Sequence, residues 1–249
     1  MDIRVLDDAA AVADAGTALL CEWLAAKPDA LVVAALGRSP QGVYAGIARA
    51  VDDGRLDLSR LRIAQLDNYL GPGPDDARSL VGWLQRDVLV PWRIPAEHVT
   101  WLPGDEPDPA ETCATYARSV ATAGGFDVSV LGVGPSGHLG FNEPPSPPDA
   151  PTRVVELTAE SRASSATYWR TGLEVPSHGI TCGMDLLLGA RRTLVVITGD
   201  KKRAIVRRML SEPISPDVPA SLLRSIEGVT LLVDRAAWGD MPSPGDLES

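Results

Sequence analysis

Positive charge is in short supply in this chain. Its 23 lysines and arginines are outnumbered by 33 aspartates and glutamates, giving a formal net charge of −10. Proteins that grip nucleic-acid phosphates draw affinity from many exposed cations, so this balance argues against that partner and leaves room only for local anion sites. Cysteine and histidine are equally scarce, at three each. Cys21, Cys113 and Cys182 are scattered without CxxC spacing, which points away from a disulfide framework and from a metal site, and towards a reducing cytoplasm. No apolar run reaches about 18 residues, and Met1-Asp-Ile-Arg has no basic region leading into an apolar core, so neither a membrane span nor a signal peptide is expected. A GxGxxG fingerprint is also missing from the first strand-to-helix turn, which disfavours nicotinamide chemistry.

What is present suits a buried core: 249 residues with 45% hydrophobic content. Apolar runs suited to strands recur at Ala30 to Leu36, Leu61 to Leu66, Phe126 to Gly132, Thr193 to Thr198 and Gly228 to Asp234. Helices are expected between them, over Asp8 to Ala26, Gln41 to Val51, Asp76 to Leu89, Glu111 to Ala123, Lys201 to Leu210 and Ser221 to Ser225. Pro91 to Pro109 reads mostly as connection, with one short strand around Val99 to Leu102. The alternation predicts an α/β fold, a single domain over residues 1–249 whose mostly parallel sheet is flanked by helices. Five prolines in the eight residues from Pro144 to Pro151 interrupt the rhythm. A helix over Glu160 to Trp169 follows, and the segment 144–176 is expected to form a mobile lid.

Four loops after apolar runs carry candidate chemistry. The most specific is Gly132-Val-Gly-Pro-Ser-Gly-His-Leu-Gly-Phe-Asn-Glu-Pro144, where His138 and Glu143 share a glycine-punctuated turn at a strand's carboxyl end. An imidazole there moves protons near neutral pH, and a carboxylate orients it or shares the work. Gly37-Arg38-Ser39 opens a helix, and such an amino terminus offers backbone amides and a hydroxyl to an anion. Asp67 stands just beyond a strand as a potential proton acceptor. Lys202 lies in the first turn of a predicted helix, where a cation is unfavourable for the dipole unless an anion is near. Each has a plainer reading: a turn and cap, an Asx-turn, a satisfied loop histidine and a solvated basic face. His98 and His178 lack comparable surroundings and are read as structural.

In this order the loops resemble those of the glucosamine-6-phosphate deaminase and 6-phosphogluconolactonase family, over about Ala30 to Asp234. Ala35 to Tyr44 is similar to that family's phosphate loop, Gln65 to Gly71 to the loop carrying the deaminase base, and Gly132 to Pro144 to the catalytic histidine loop. His138-Leu-Gly-Phe-Asn-Glu143 followed by proline resembles the deaminase branch more than the lactonases. The resemblance implies a Rossmann-like sheet, no metal and no organic cofactor, a small sugar phosphate as partner, and either a monomer or a homo-oligomer. It also implies conversion of glucosamine 6-phosphate to fructose 6-phosphate and ammonia. By position, His138 assisted by Glu143 would open the sugar ring and Asp67 would carry a proton between C2 and C1. Gly37, Arg38, Ser39 and Lys202 would hold the phosphate.

Four positions depart from the family pattern. Arg38 stands where a second glycine is usual, and Thr167 where a lid arginine is expected, with Arg162 and Arg170 nearby. Ser136 replaces an aspartate two residues before the histidine, and Asn68 replaces an acidic residue after the base, so both are expected to orient rather than react. Two other activities remain compatible. One is lactone hydrolysis, which uses the histidine but not Asp67. The other is sugar-phosphate binding without turnover.

Overall fold

The computed structural model describes residues 1–76, 78–167 and 173–246. The chain opens with an edge strand, β1 (Asp2–Leu6), and α1 (Ala9–Ala26), whose first turn is capped by Asp8 accepting from Ala11 N. There follow β2 (Leu31–Ala34), α2 (Arg38–Asp52), β3 (Arg62–Gln65) and the short β4 (Asp67–Tyr69). α3 (Leu80–Leu84) runs on through a π-helical turn at Gln85–Leu89 to β5 (Val99–Thr100), α4 (Pro109–Thr122) and β6 (Val128–Leu131). Next come β7 (Arg153–Glu156), α5 (Ala159–Ala166), β8 (His178–Thr181) and α6 (Met184–Leu188). The chain closes with β9 (Arg192–Ile197), α7 (Arg203–Ser211), β10 (Val229–Asp234) and α8 (Arg235–Trp238).

Seven strands form one sheet in the order β1-β10-β9-β6-β2-β3-β5, with every neighbouring pair parallel. The inner strands read Leu-Val-Val-Ala and Val-Ser-Val-Leu because helices cover both faces, so no polar alternation is needed. Successive side chains feed opposite cores. Leu31, Val33, Leu131 and Val195 pack with Tyr116 and Met209, whereas Val32, Ala34, Val130 and Val196 pack with Leu20, Ile47 and Trp92. α1 has the length and apolar composition of a membrane crossing, yet it buries Val12, Leu20, Trp23 and Leu24 in the second of these cores. From β2 the chain moves outward to β3 and β5, then returns to β6 on β2's other side. Such a switch point opens a crevice at the strands' carboxyl ends.

A second sheet, β4-β8-β7, is antiparallel and lies outside the expected rhythm. Its strands are short, and β7 alternates half-buried with exposed residues, so none presents the apolar run that marks a central strand. The expected lid therefore contains an anchored strand, β7, before its helix. α5 ends at Ala166, and Trp169 and Arg170 fall outside the described residues. Three expected helices are also corrected. The helix expected from Asp76 begins at Leu80, where Ser79 caps it, and the one expected from Lys201 begins at Arg203 after a 3-10 turn at Asp200–Lys202. Ser221 to Ser225 belongs to a 3-10 segment, Pro219–Ser225.

The joint between the two sheets is held by Gln65, which is fully buried. Its Nε2 donates to Asp67 O at 3.0 Å and its Oε1 accepts from Leu102 N at 3.1 Å, while the Tyr116 hydroxyl donates to Gln65 O at 2.7 Å. Gln65→Leu keeps similar bulk but strands one carbonyl and one amide, so it should cost about 1–3 kcal/mol per orphaned group. A urea melt checks this: the midpoint should fall with the slope unchanged.

Candidate active site

A cavity of about 600 Å³ opens where the carboxyl ends of β2, β3, β6 and β9 converge. Gly37, Arg38, Ser39, Asp67, His138 and Lys202 all line it, so four separate loops deliver their candidate residues to one space. Ser136, Asn68 and Glu143 do not reach the wall. Asn68 is almost completely buried, and its Oδ1 accepts from Tyr69 N and Leu80 N, both at 3.0 Å. The orienting role expected of Asn68 is thereby corrected: its side chain ties β4 to the start of α3. His98 and His178 bond locally, to Leu61 O and Ser177 Oγ, away from the cavity.

Asp67 is 6% exposed, and no described residue donates a hydrogen bond to its carboxylate. Desolvation by burial pushes its pKa up to about 7, because the charged form loses water and gains no donor in exchange. The histidine loop approaches it closely at Gly140, whose φ is +59° and whose added Cβ would lie 3.4 Å from Asp67 Oδ2. A side chain there would be strained by the backbone and would press on Thr181 Oγ1 and Leu66, at 3.0 and 3.1 Å.

His138 sits on the facing wall with its ring over Gly134, where an added methyl group would overlap the imidazole. Its Nδ1 lies 2.9 Å from Ser136 Oγ and 3.3 Å from Glu143 Oε2. Ser136 Oγ also lies 3.3 Å from Glu143 Oε2, and when it donates its one proton there it accepts from Nδ1. An ionised carboxylate beside Nδ1 favours a proton on that nitrogen, which in the neutral ring leaves the lone pair on Nε2. For Glu143, burial alone would raise the pKa. The hydrogen bond from His138 and, when the ring is protonated, its charge, together with the Ser161 and Ser136 hydroxyls, outweigh burial and hold the carboxylate below its usual range. The turn behind it is braced by Arg153, which donates to Asn142 Oδ1 at 2.8 Å and Ser146 Oγ at 2.9 Å, and Ser146 Oγ donates to Glu143 O at 2.6 Å.

The opposite end of the cavity is cationic. Arg38 is the first residue of α2 and adopts no positive φ, so the usual second glycine is not required there. Its Nη2 donates to Thr167 O at 3.3 Å, which bridges the α2 loop to the end of α5. Thr167 thus offers a carbonyl where a guanidinium was expected, and Arg162 is exposed and does not line the cavity. Lys202 is half-buried, its pKa lowered by desolvation, and its Nζ donates to Val133 O at 2.6 Å. An ammonium has three protons, so that bond leaves two for a ligand. Residues not singled out from sequence also contribute: Ser161, Ser164 and Ser165 form one wall from a single face of α5. Their i, i+3, i+4 spacing was the available signal.

The burial of Asp67 has a thermodynamic consequence. Its folded pKa exceeds its unfolded value, so over the interval between about pH 4 and pH 7 the folded state retains a proton that the unfolded chain has released. The stability contributed by the neutral acid is complete below that interval and is lost as pH rises through it. Asp67→Asn removes the dependence, so its Tm should exceed that of the unaltered protein at pH 8 and the gap should narrow towards pH 4. Thermal melts across this range measure it, and a gap independent of pH would contradict the burial argument.

Residues 7–232 match the family model described as glucosamine-6-phosphate isomerases/6-phosphogluconolactonase. The chain is 32% identical to a glucosamine-6-phosphate deaminase of Bacillus pumilus over 95% of its own length and 98% of the relative's. It is 35% identical to the enzyme of that name from Streptomyces avermitilis, over 95% and 91% of the two chains. Among solved structures, a monomeric glucosamine-6-phosphate deaminase superposes with a TM-score of 0.92 at 29% identity, covering 96% of this chain and 99% of the other. A 6-phosphogluconolactonase from Thermotoga maritima shares the fold, with a TM-score of 0.74 at 20% identity over 94% and 98%. With its four strand-end loops meeting in one cavity and its full-length similarity to these enzymes, the chain belongs to the glucosamine-6-phosphate isomerase and 6-phosphogluconolactonase family.

Proposed function

We propose that this protein is an amino-sugar phosphate deaminase that converts glucosamine 6-phosphate and water to fructose 6-phosphate and ammonia. The observation that carries the reading is the buried Asp67 carboxylate, poised to titrate at about 7 in the same cavity as His138, which Glu143 backs from outside the wall. Proton abstraction from carbon needs such a base, desolvated and close to the working pH. Lactone hydrolysis has no use for it.

The phosphate lies against the amino terminus of α2, held by the amides of Gly37 and Arg38, the Ser39 hydroxyl, and the cations of Arg38 and Lys202. Fixing that end turns a flexible sugar into an oriented reactant. His138 Nε2 accepts the proton of the anomeric hydroxyl and returns one to the ring oxygen, which opens the pyranose. Glu143, held ionised, supports the imidazolium formed in between. Asp67 then takes the proton from C2 while the substrate's C2 ammonium passes a proton to the C1 carbonyl oxygen, giving an enolamine, and Asp67 delivers its proton to C1, leaving a protonated imine at C2. Water adds to that imine, and ammonia leaves as the ketone forms.

A coupled ammonia assay with phosphorylated and free amino sugars tests the reading. Asp67→Asn should reduce ammonia release by about 10²–10⁴-fold, the usual contribution of a positioned base. Ammonia release unchanged in that variant would rule the mechanism out. For the unaltered protein, kcat/KM should rise with pH through about 7 as the carboxyl ionises. Lys202→Met should raise KM for the phosphorylated sugar by about tenfold or more while changing kcat less, as expected for lost ground-state binding.

A further inference from the structure

α5 touches the proton-transfer pair from the side opposite the turn that carries it. The Ser161 side chain is 4% exposed, and its Oγ lies 3.4 Å from His138 Nδ1. Its hydroxyl also acts on Glu143, as Ser136 does. Thr158, the cap of α5, donates from Oγ1 to Glu143 Oε1 at 3.5 Å and accepts from Ser161 N at 3.1 Å, which fixes the first turn of the helix over the carboxylate. Two serines from separate segments therefore flank the Nδ1–Glu143 contact. At the helix's other end, the Thr167 carbonyl accepts from Arg38 of the anion loop.

A neutral imidazole has two tautomers, and only the form protonated on Nδ1 leaves Nε2 able to accept a proton in the cavity. Glu143 favours that form by charge, but at 3.3 Å and without a second contact the ring could tilt about its Cβ–Cγ bond. Ser136 restrains it from its own turn, and Ser161 restrains it from α5.

We propose that Ser161 is a positioning residue that, together with Ser136, fixes the tautomer and orientation of His138. The inference rests on His138 being the proton carrier of the proposed reaction. It makes α5 part of the catalytic apparatus, because the helix that walls the cavity also sets the reactivity of the imidazole.

The test uses Ser161→Ala, the near-isosteric but weakly bonding Ser161→Cys, the hydroxyl-retaining Ser161→Thr, and Glu160→Ala as a control on the exposed side of the same turn. Ser161→Ala and Ser161→Cys should lower kcat by about ten- to a hundredfold with KM little changed, the scale expected for a misplaced catalytic group. Ser161→Thr should restore most of that loss, and Glu160→Ala should cause none. Imidazole nitrogen NMR supplies a readout that needs no turnover. His138 should show the Nδ1-protonated form in the unaltered protein and a mixture of tautomers in the alanine and cysteine variants. Unchanged His138 nitrogen shifts in both variants would overturn the proposal. Absence of ammonia release from the unaltered protein would instead overturn the deaminase reading, so the two failures are told apart.

Discussion

Every strand of the main sheet runs in the same direction, and the site depends on that constraint more than on any single contact. A parallel sheet gathers all its carboxyl ends at one edge, and helices on both faces push the connecting loops into the crevice between them. The loop after β2 supplies amides and a guanidinium, the loop after β6 supplies an imidazole, and the segment after β9 supplies an ammonium. These groups are far apart in sequence and share no local motif. Their convergence is a property of topology, and the strands beneath them are held by apolar packing that takes no part in the chemistry.

The local environments then divide the cavity's labour. Asp67 is buried with no donor among the described residues, so its charged form is disfavoured and its pKa rises to about 7. Glu143 is equally buried but faces an imidazole and several hydroxyls, so it stays ionised. The two carboxyls shift in opposite directions because, among the described residues, one has hydrogen-bond donors and the other does not. Acid and base roles separated in this way recur wherever a fold performs proton transfer near neutral pH.

The parts of this arrangement carried by apolar runs were legible in the sequence. The runs at Ala30 to Leu36 and Phe126 to Gly132 marked β2 and β6, and glycine and histidine in the turns after them marked the site. What escaped was carried by short or edge elements. β1 has an exposed or half-buried residue at every position, and β4 is three residues long, so neither gives a periodic signal. The roles of Ser161 and Asn68 depend on side chains meeting across the fold, which periodicity does not encode. Arg38 was recognised as a departure from the family pattern, but its bond to Thr167 required knowledge of where α5 lies.

The small antiparallel sheet acquires a mechanical meaning from its connections. β4 carries Asp67, and β7 leads through Leu157 and Thr158 directly into α5. Both strands hydrogen-bond to β8, with Asp67 and Arg153 each opposite Thr181. The three strands therefore act as a yoke, with Asp67 on one arm and the serine-bearing helix on the other. The spacing between Asp67 and the helix that walls the cavity is thus set by backbone hydrogen bonds within the protein rather than by any ligand.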